Sequence, residues 1–307
     1  MAEEPVRFKH KVEYVALRLL SGLLRRVPYR VALALAWGLA WLGHRVVGFR
    51  RAEARRRIRQ VLGPERSERE IRRIAWISWR NICFNAVEIA RMPGIDRRWM
   101  AAHTDYGGME RVRARMQTGT GAIMAVPHAG NWDLCGVGCH LMGFPVFFIA
   151  RRQKNPLTDA YLNRMRGVTG VATVLNDAGV LRGVMRNLKA GMMLAILPDV
   201  RARTPALAIR FLGGEANLGA GATLFARQTG VPIFPAFITR EGWTRHRVRV
   251  LDPVEPDPQA EKEADRRRML QQVMEALDRC IRERPEQYFW FNKRWVLDPM
   301  EAGGKRD

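Results

Sequence analysis

The chain is short of serine. Only Ser21, Ser67 and Ser78 occur in 307 residues, and none stands in a G-x-S-x-G elbow, which argues against a serine hydrolase of the α/β type. Cysteine is scarce too. Cys83, Cys135, Cys139 and Cys280 show no disulfide framework, and their spacing suits a reducing compartment. Cys135, Cys139 and His140 lie close in sequence, but no second cysteine pair completes a zinc site, so no metal is expected. The G-x-G pairs in "GVGCHLM" and "GAGATLF" lack a third glycine and there is no P-loop, which weakens a nucleotide-binding reading. The start, "MAEEPVRFKHKVEY", has neither a charged-then-apolar order nor a small-residue cleavage site, so no cleavable signal peptide is expected. Long hydrophobic runs are also missing. The cleanest, from Val31 to Gly43, has 13 residues, whereas a spanning helix needs about 20.

Acidic residues are few relative to basic ones. Thirty Asp and Glu against 52 Lys and Arg leave a formal net charge of +22, a field that calls for an anionic partner: nucleic acid, lipid headgroups or an acidic protein. The 47% hydrophobic content is enough for a sizeable core. "VEYVALRLLSGLL" carries apolar residues at helical spacing, and "VALALAWGLAWLG" then meets His44 and Arg45. With Arg45 snorkelling this stretch barely crosses a bilayer, so a monotopic or re-entrant element in one leaflet is preferred. The basic helical run "FRRAEARRRIRQ" follows directly and reads as a contact with anionic lipid headgroups. The alternative is a core helix followed by a solvated charged one. "GPERSE" near residue 65 divides residues 1–65, a helical membrane-anchoring region, from residues 66–300, the catalytic domain.

Beyond that point the pattern is α/β. Helical spacing fills 67–92, 155–166, "AGVLRGVMRNLKAG", "GATLFARQTG" and 257–284. Short apolar strands read at "GAIMAVP", "FPVFFIA", "VATVL", "MMLAILPD", "VPIFPAFITR" and "HRVRVLD". Strands alternating with helices predict a mostly parallel central sheet flanked by helices.

In such sheets ligands sit beyond the carboxyl ends of the strands. There, "AIMAVPHAGNWDLCG" delivers His128, then Asn131, Trp132 and Asp133. In one continuous helix His128 and Asp133 would point well apart. A turn at Ala129-Gly130 removes that objection, with Asn131 as the cap of a helix starting at Trp132. Asp133 in the first helical turn stays ionised and can accept one ring N–H, leaving the other nitrogen to take a proton. No protein nucleophile accompanies this pair, so the nucleophile is a substrate hydroxyl. Taken alone, the spacing is equally that of a strand-end histidine satisfying a buried hydrogen bond.

"HAGNWD" resembles the H-x-x-x-x-(D/E) motif of the glycerolipid acyltransferase superfamily, in the form found in the bacterial late lipid A acyltransferases and their phosphatidylinositol mannoside relatives. "ARRQKNPLTDAYLNRMR", "LAILPDVRA", "IRFLGGEANLGAGATLFARQTGVPIFPAF" and "RPEQYFWFNKRW" resemble further elements of that family, in order, from about residue 12 to 298. The resemblance implies direct transfer of a fatty acyl group from an acyl carrier protein or coenzyme A thioester to a hydroxyl of a membrane glycolipid such as a lipid A precursor, with no cofactor. It implies His128 as the base and Asp133 as its partner, with Asn131 and Trp132 shaping the substrate site. Asp199 is implied as a second orienter or substrate contact, and Arg151 or Arg152 as a phosphate or oxyanion contact. A backbone amide near the turn is the other oxyanion donor considered. The implied place is the bacterial inner (cytoplasmic) membrane, with the site on the cytoplasmic side. Departures follow the Leu-Pro-Asp element: Val200, Arg201, Ala202 and Arg203 supply no second acid, and "ANLGAGAT" replaces the threonines and proline of many relatives.

"LCGVGCHLMGFPVFF" and "MMLAI" are candidate walls for an acyl groove. Tyr288, Phe289, Trp290, Phe291 and Trp295 fit either a membrane interface or the core. The competing class is a basic nucleic-acid-binding protein. Against it, the aromatics do not alternate with basic residues on a strand platform, so no nucleic-acid partner is expected.

Overall fold

A computed structural model describes residues 6–150, 155–161 and 170–298. Helix α4, Glu68–Arg91, is the post around which the N-terminal part is built. Ser67 starts it with a capping box: its hydroxyl accepts from Glu70 N–H, and the Glu70 carboxylate accepts from Ser67 N–H at 2.9 Å. Helices α1, Phe8–Arg26, α2, Tyr29–Leu42, and α3, Arg51–Leu62, all pack on α4. A 3-10 turn at Gly63–Glu65 occupies the boundary expected near residue 65. Ala54, Ile58, Val61 and Leu62 on the α3 side of that turn join the same core cluster as strands of the central sheet.

The sheet has seven strands in the order β1-β9-β8-β2-β5-β3-β4. They are β1, Thr104–Gly107; β2, Ala122–Ala125; β3, Val146–Ala150; β4, Ala172–Leu175; β5, Met193–Ile196; β8, Ile233–Glu241; and β9, Arg245–Val250. All neighbours run parallel except β8 and β9. The mostly parallel sheet with helices on its faces is therefore as expected. β2 is buried along its whole length, and β8 along all but its last residue. Such strands read as continuous apolar runs rather than alternations.

The sequence reading passed over β1 and a separate antiparallel hairpin, β6, Leu207–Phe211, with β7, Gly214–Leu218. Leu212 and Gly213 join the hairpin with φ of 53° and 79°, as a two-residue type I′ connection requires. The last long helix begins at Lys262 rather than 257, because Glu261 caps it by accepting from the N–H groups of Glu263 and Ala264. The helix expected over 155–166 is described only to residue 161, with Asn155 Oδ1 accepting from Leu157 and Thr158 as its cap.

Among the described residues no single helix is long and apolar enough to cross a membrane. Tyr29–Val47 and Arg51–Glu65 form a pair bent by 91°. Exposed large apolar side chains are nevertheless concentrated. Among the described residues all but Leu181 and Trp243 lie between Val6 and Phe49, on or beside α1, α2 and the turn after them. Several arginines of the basic run on α3 bond within the protein, while Arg56 and Arg59 stay exposed. Arg57, 1% exposed, donates to the carbonyls of Trp290 and Asn292. Arg51 donates to the His44 carbonyl, and Arg59 pairs with Glu68. The aromatics near the C-terminus are core: Tyr288, Trp290, Phe291 and Trp295 are all buried.

Candidate active site

Two neighbouring parallel strands end alike. β2 continues as Val126-Pro127-His128 and β5 as Leu197-Pro198-Asp199. Ala125 is in register with Ile196, and Val126 N–H donates to the Ile196 carbonyl. His128 and Asp199 are thus equally far past paired residues, and the register brings them together. The His128 Nδ1 lies 2.8 Å from Asp199 Oδ1, and His128 backbone N–H donates to Oδ2 at 2.9 Å. The Tyr288 hydroxyl also hydrogen-bonds this carboxylate. Asp199 is buried, whereas the His128 side chain keeps 18% of its surface exposed. A carboxylate at Nδ1 fixes the Nδ1–H tautomer and leaves Nε2 as an acceptor. Burial disfavours the charged ring, but the charge and hydrogen bond of Asp199 outweigh it, with a further push from Asp133. The net effect raises the His128 pKa.

The turn that follows is held from outside. Ala129 N–H closes back on the Pro127 carbonyl at 2.6 Å. Gly130 has φ of 56°, and a Cβ there would stand 2.5 Å from the Ile238 carbonyl oxygen, so both the conformation and the space require glycine. Gly130 N–H donates to the Gln287 carbonyl and Phe289 N–H to the His128 carbonyl. The Asn85 amide donates to the Gly130 carbonyl at 2.5 Å. The N–H groups of 128, 129 and 130 are therefore all engaged, which removes these three as oxyanion donors.

Asn131 caps α7, Trp132–Leu141, as expected: its Oδ1 accepts from Leu134 N–H at 3.0 Å. Its other end donates to Glu88 at 2.6 Å. It is 1% exposed, so it positions the turn and presents no surface to substrate, contrary to the binding contact expected of it. Trp132 sets its ring edge-on to His128, with centroids 5.0 Å apart. Asp133 lies in the first turn of α7, where free amides favour an anion. The Nδ1 proton goes to Asp199, not to Asp133 as the sequence suggested; Asp133 acts on the ring through its charge. Arg151 and Arg152 lie outside the described residues.

Trp132 and Asp133, with Val126, help to wall a cavity of about 490 Å³ beyond the strand ends. Phe148, Ile149 and Ala150 of β3 and Ala195 and Ile196 of β5 supply much of its apolar lining, within or just beyond the two segments expected to do so. Cys135 and Cys139 are not in that lining and pack into the buried cluster between α7 and the sheet.

Beneath the turn lies a buried charge cluster. Glu88 is fully buried on α4. Its Oε1 accepts from Tyr29, Arg240 and His246 at 2.5, 2.7 and 3.1 Å, and its Oε2 from Asn131 and Arg240, both at 2.6 Å. Burial opposes the Glu88 charge, but Arg240 and His246 hold the carboxyl well below its usual range. Arg240 also reaches Asn85, and Gln287 brackets the Arg240 backbone. Sequence reasoning missed this cluster. The available signal was polar: Ser78, Asn81, Asn85 and Glu88 recur every three or four residues along an otherwise apolar helix face.

A family model described as bacterial lipid A biosynthesis acyltransferase matches residues 5–296. The chain is similar to the lipid A biosynthesis lauroyltransferase of Escherichia coli K12, 25% identical over 279 residues, covering 90% of this chain and 89% of that one. It is similar to the phosphatidylinositol mannoside acyltransferase of Mycobacterium tuberculosis H37Rv, 24% identical over 225 residues, with 70% and 68% covered. A lipid A biosynthesis acyltransferase of Haemophilus influenzae is 22% identical over 276 residues, with 87% and 82% covered.

Proposed function

Because the chain belongs to the bacterial lipid A biosynthesis acyltransferase family, we propose that it moves a fatty acyl group from a thioester of acyl carrier protein or coenzyme A to a hydroxyl of a membrane glycolipid. The observation that carries the mechanism is the 2.8 Å contact between His128 Nδ1 and Asp199. It leaves Nε2 as a base with a raised pKa on a ring that packs against Trp132, one wall of the apolar cavity. Nε2 takes the proton of the acceptor hydroxyl as its oxygen attacks the thioester carbonyl. The tetrahedral intermediate collapses, the carbon–sulfur bond breaks, and the imidazolium returns its proton to the departing thiolate. The products are an ester and a free thiol. Asp199 holds the tautomer throughout, and the Asp133 carboxylate favours the imidazolium from the cavity side. The oxyanion needs a donor from outside the 128–130 turn, a task suited to a guanidinium such as that of Arg151 or Arg152. The cavity of about 490 Å³ takes the acyl chain.

The exposed apolar side chains of residues 6–49 rest this site on one leaflet, a monotopic attachment to an anionic membrane surface. The inner membrane, cytoplasmic side, is the place where such donors and acceptors meet. A nucleic-acid-binding role has no support from the relatives.

The test is His128→Ala, purified and assayed for transfer of a radiolabelled acyl group to extracted membrane glycolipid. Transfer falls by at least about 10²–10⁴-fold, the usual worth of a general base. Fold and membrane binding are unchanged. Near-normal turnover would falsify the assignment.

A further inference from the structure

A second cavity, of about 900 Å³, shares no lining residue with the first. It lies between α1, the turn after α4, helix α5, Arg97–His103, and Tyr161. Four arginines line it: Arg18, Arg25 and Arg26 of α1, and Arg91 at the end of α4. Among the described residues none of them forms an ion pair, although most arginines of α3 do. Arg91 is held by the carbonyls of Leu24 and Val27 and is fixed in place. Arg18, Arg25 and Arg26 are exposed. Tyr14, Tyr161 and Trp99 complete the polar and aromatic lining, and Val15 and Leu19 bring the exposed apolar face of α1 to its edge.

We infer that this cavity is a discrete seat for the phosphodiester headgroup of an anionic bilayer phospholipid. The inference rests on the reading that α1 and α2 lie on a membrane, but not on the acyl transfer. Three features favour this occupant. Guanidiniums with no carboxylate partner among the described residues match a phosphodiester in charge and geometry, although Arg18 and Arg26 also donate to the Tyr14 hydroxyl and the Gly22 carbonyl. Tyrosine and tryptophan beside them suit headgroup depth. The rim residues Val15 and Leu19 continue the apolar platform, so the acyl tails of a bound lipid would lie along α1. Separation from the His128 cavity favours a resident lipid over the acyl acceptor. The site sits close to the chemistry all the same: Trp99 and Ile95 of its wall pack on Leu134, next to Asp133. A lipid seated there would brace α1 against the first turn of α7.

The experiment is native mass spectrometry of the full chain in a non-ionic detergent, with phosphatidylglycerol, phosphatidylcholine, glycerol 3-phosphate and a phosphorylated glycolipid as separate probes. It needs neither a bilayer nor turnover, so it can fail while the acyltransferase reading stands. We expect one phosphatidylglycerol retained per chain, in preference to phosphatidylcholine. The Arg25→Gln/Arg26→Gln pair should weaken retention about tenfold or more. Arg18→Gln, which leaves the end of α1 untouched, should weaken it in the same direction. Arg203→Gln/Arg245→Gln, the same loss of charge at exposed sites elsewhere, should leave it unchanged. Equal weakening in the two double variants would mean bulk charge and overturn the site. So would equal retention of phosphatidylcholine. Glycerol 3-phosphate bound as tightly as the lipid would make the cavity a soluble-phosphate site, and stronger retention of a phosphorylated glycolipid would reassign it to the acceptor. Either result overturns the inference.

Discussion

Exchanging one oxygen for an amide nitrogen at Asp199 separates the two acidic residues of the site. The carboxylate faces three donors: the His128 backbone N–H, the His128 Nδ1–H and the Tyr288 hydroxyl. An asparagine offers one acceptor oxygen. The backbone N–H cannot turn away, so that oxygen stays opposite it and the NH₂ faces Nδ1. The ring must then present Nδ1 as an acceptor and carry its proton on Nε2, pointing at the substrate. Such a tautomer error at a serine protease triad costs on the order of 10⁴ in turnover, and Asp199→Asn is expected to lose roughly 10³–10⁴ here. Asp133 acts on the ring through its charge and does not hold the tautomer, so the loss expected for Asp133→Asn is smaller, about tenfold to a hundredfold. The assay is acyl transfer under single-turnover conditions at saturating donor, with near-ultraviolet circular dichroism confirming that the near-isosteric Asp199→Asn variant remains folded. Asp199→Asn within tenfold of the parent, or Asp133→Asn as damaged as Asp199→Asn, would refute the assignment of the orienting role to Asp199.

The rising limb of the pH profile of kcat/KM reports His128 losing its proton. It is expected above the usual 6.5, because the folded site favours the charged ring, and Asp199→Asn should move the residual limb to lower pH by more than Asp133→Asn does. The same shift links to stability: the His128 contribution is complete below about 6.5 and is lost as pH rises through the raised folded value, measurable as a falling denaturation midpoint. Glu88→Ala leaves Arg240 charged, buried and without its carboxylate; urea titration should register a loss of about 3–5 kcal/mol, with transfer impaired through the displaced Asn131 turn. Ala195→Phe fills part of the apolar cavity wall. Competition between long and short acyl donors should shift toward the short by about tenfold or more, as overpacking costs roughly 1–3 kcal/mol.

What could be read in advance follows the range of each signal. Six strands of the central sheet and most of the helices were legible because their signals are local: apolar runs bounded by glycine or proline, Asn131 as a cap, Gly230 as a stop. The hairpin of β6 and β7 was not, since its turn is Leu212-Gly213 rather than a pair such as Asn-Gly. His128 and Asp133 stood out because five residues of sequence tie them together. Asp199 took second place because its meeting with His128 is a matter of strand register, which no spacing in sequence encodes. Still, the matching ends Val-Pro-His and Leu-Pro-Asp were in view, and order β2-β5 makes them neighbours.

The closing "RPEQYFWFNKRW" illustrates the same limit. Its aromatics suggested a membrane interface, yet the segment acts chiefly through its backbone and one amide. Gln287 and Phe289 bind the main chain at Gly130 and His128, Tyr288 reaches Asp199, and the Ser78 hydroxyl fixes the Tyr288 carbonyl at 2.5 Å. A segment 160 residues downstream thus sets the angle at which the imidazole leaves the sheet. α4 does the same from beneath, through Asn85 and Glu88. The histidine can be mobile enough to pass a proton because everything around it is fixed, and most of what fixes it is neither charged nor near it in sequence. A search for reactive side chains therefore finds the base and overlooks its frame.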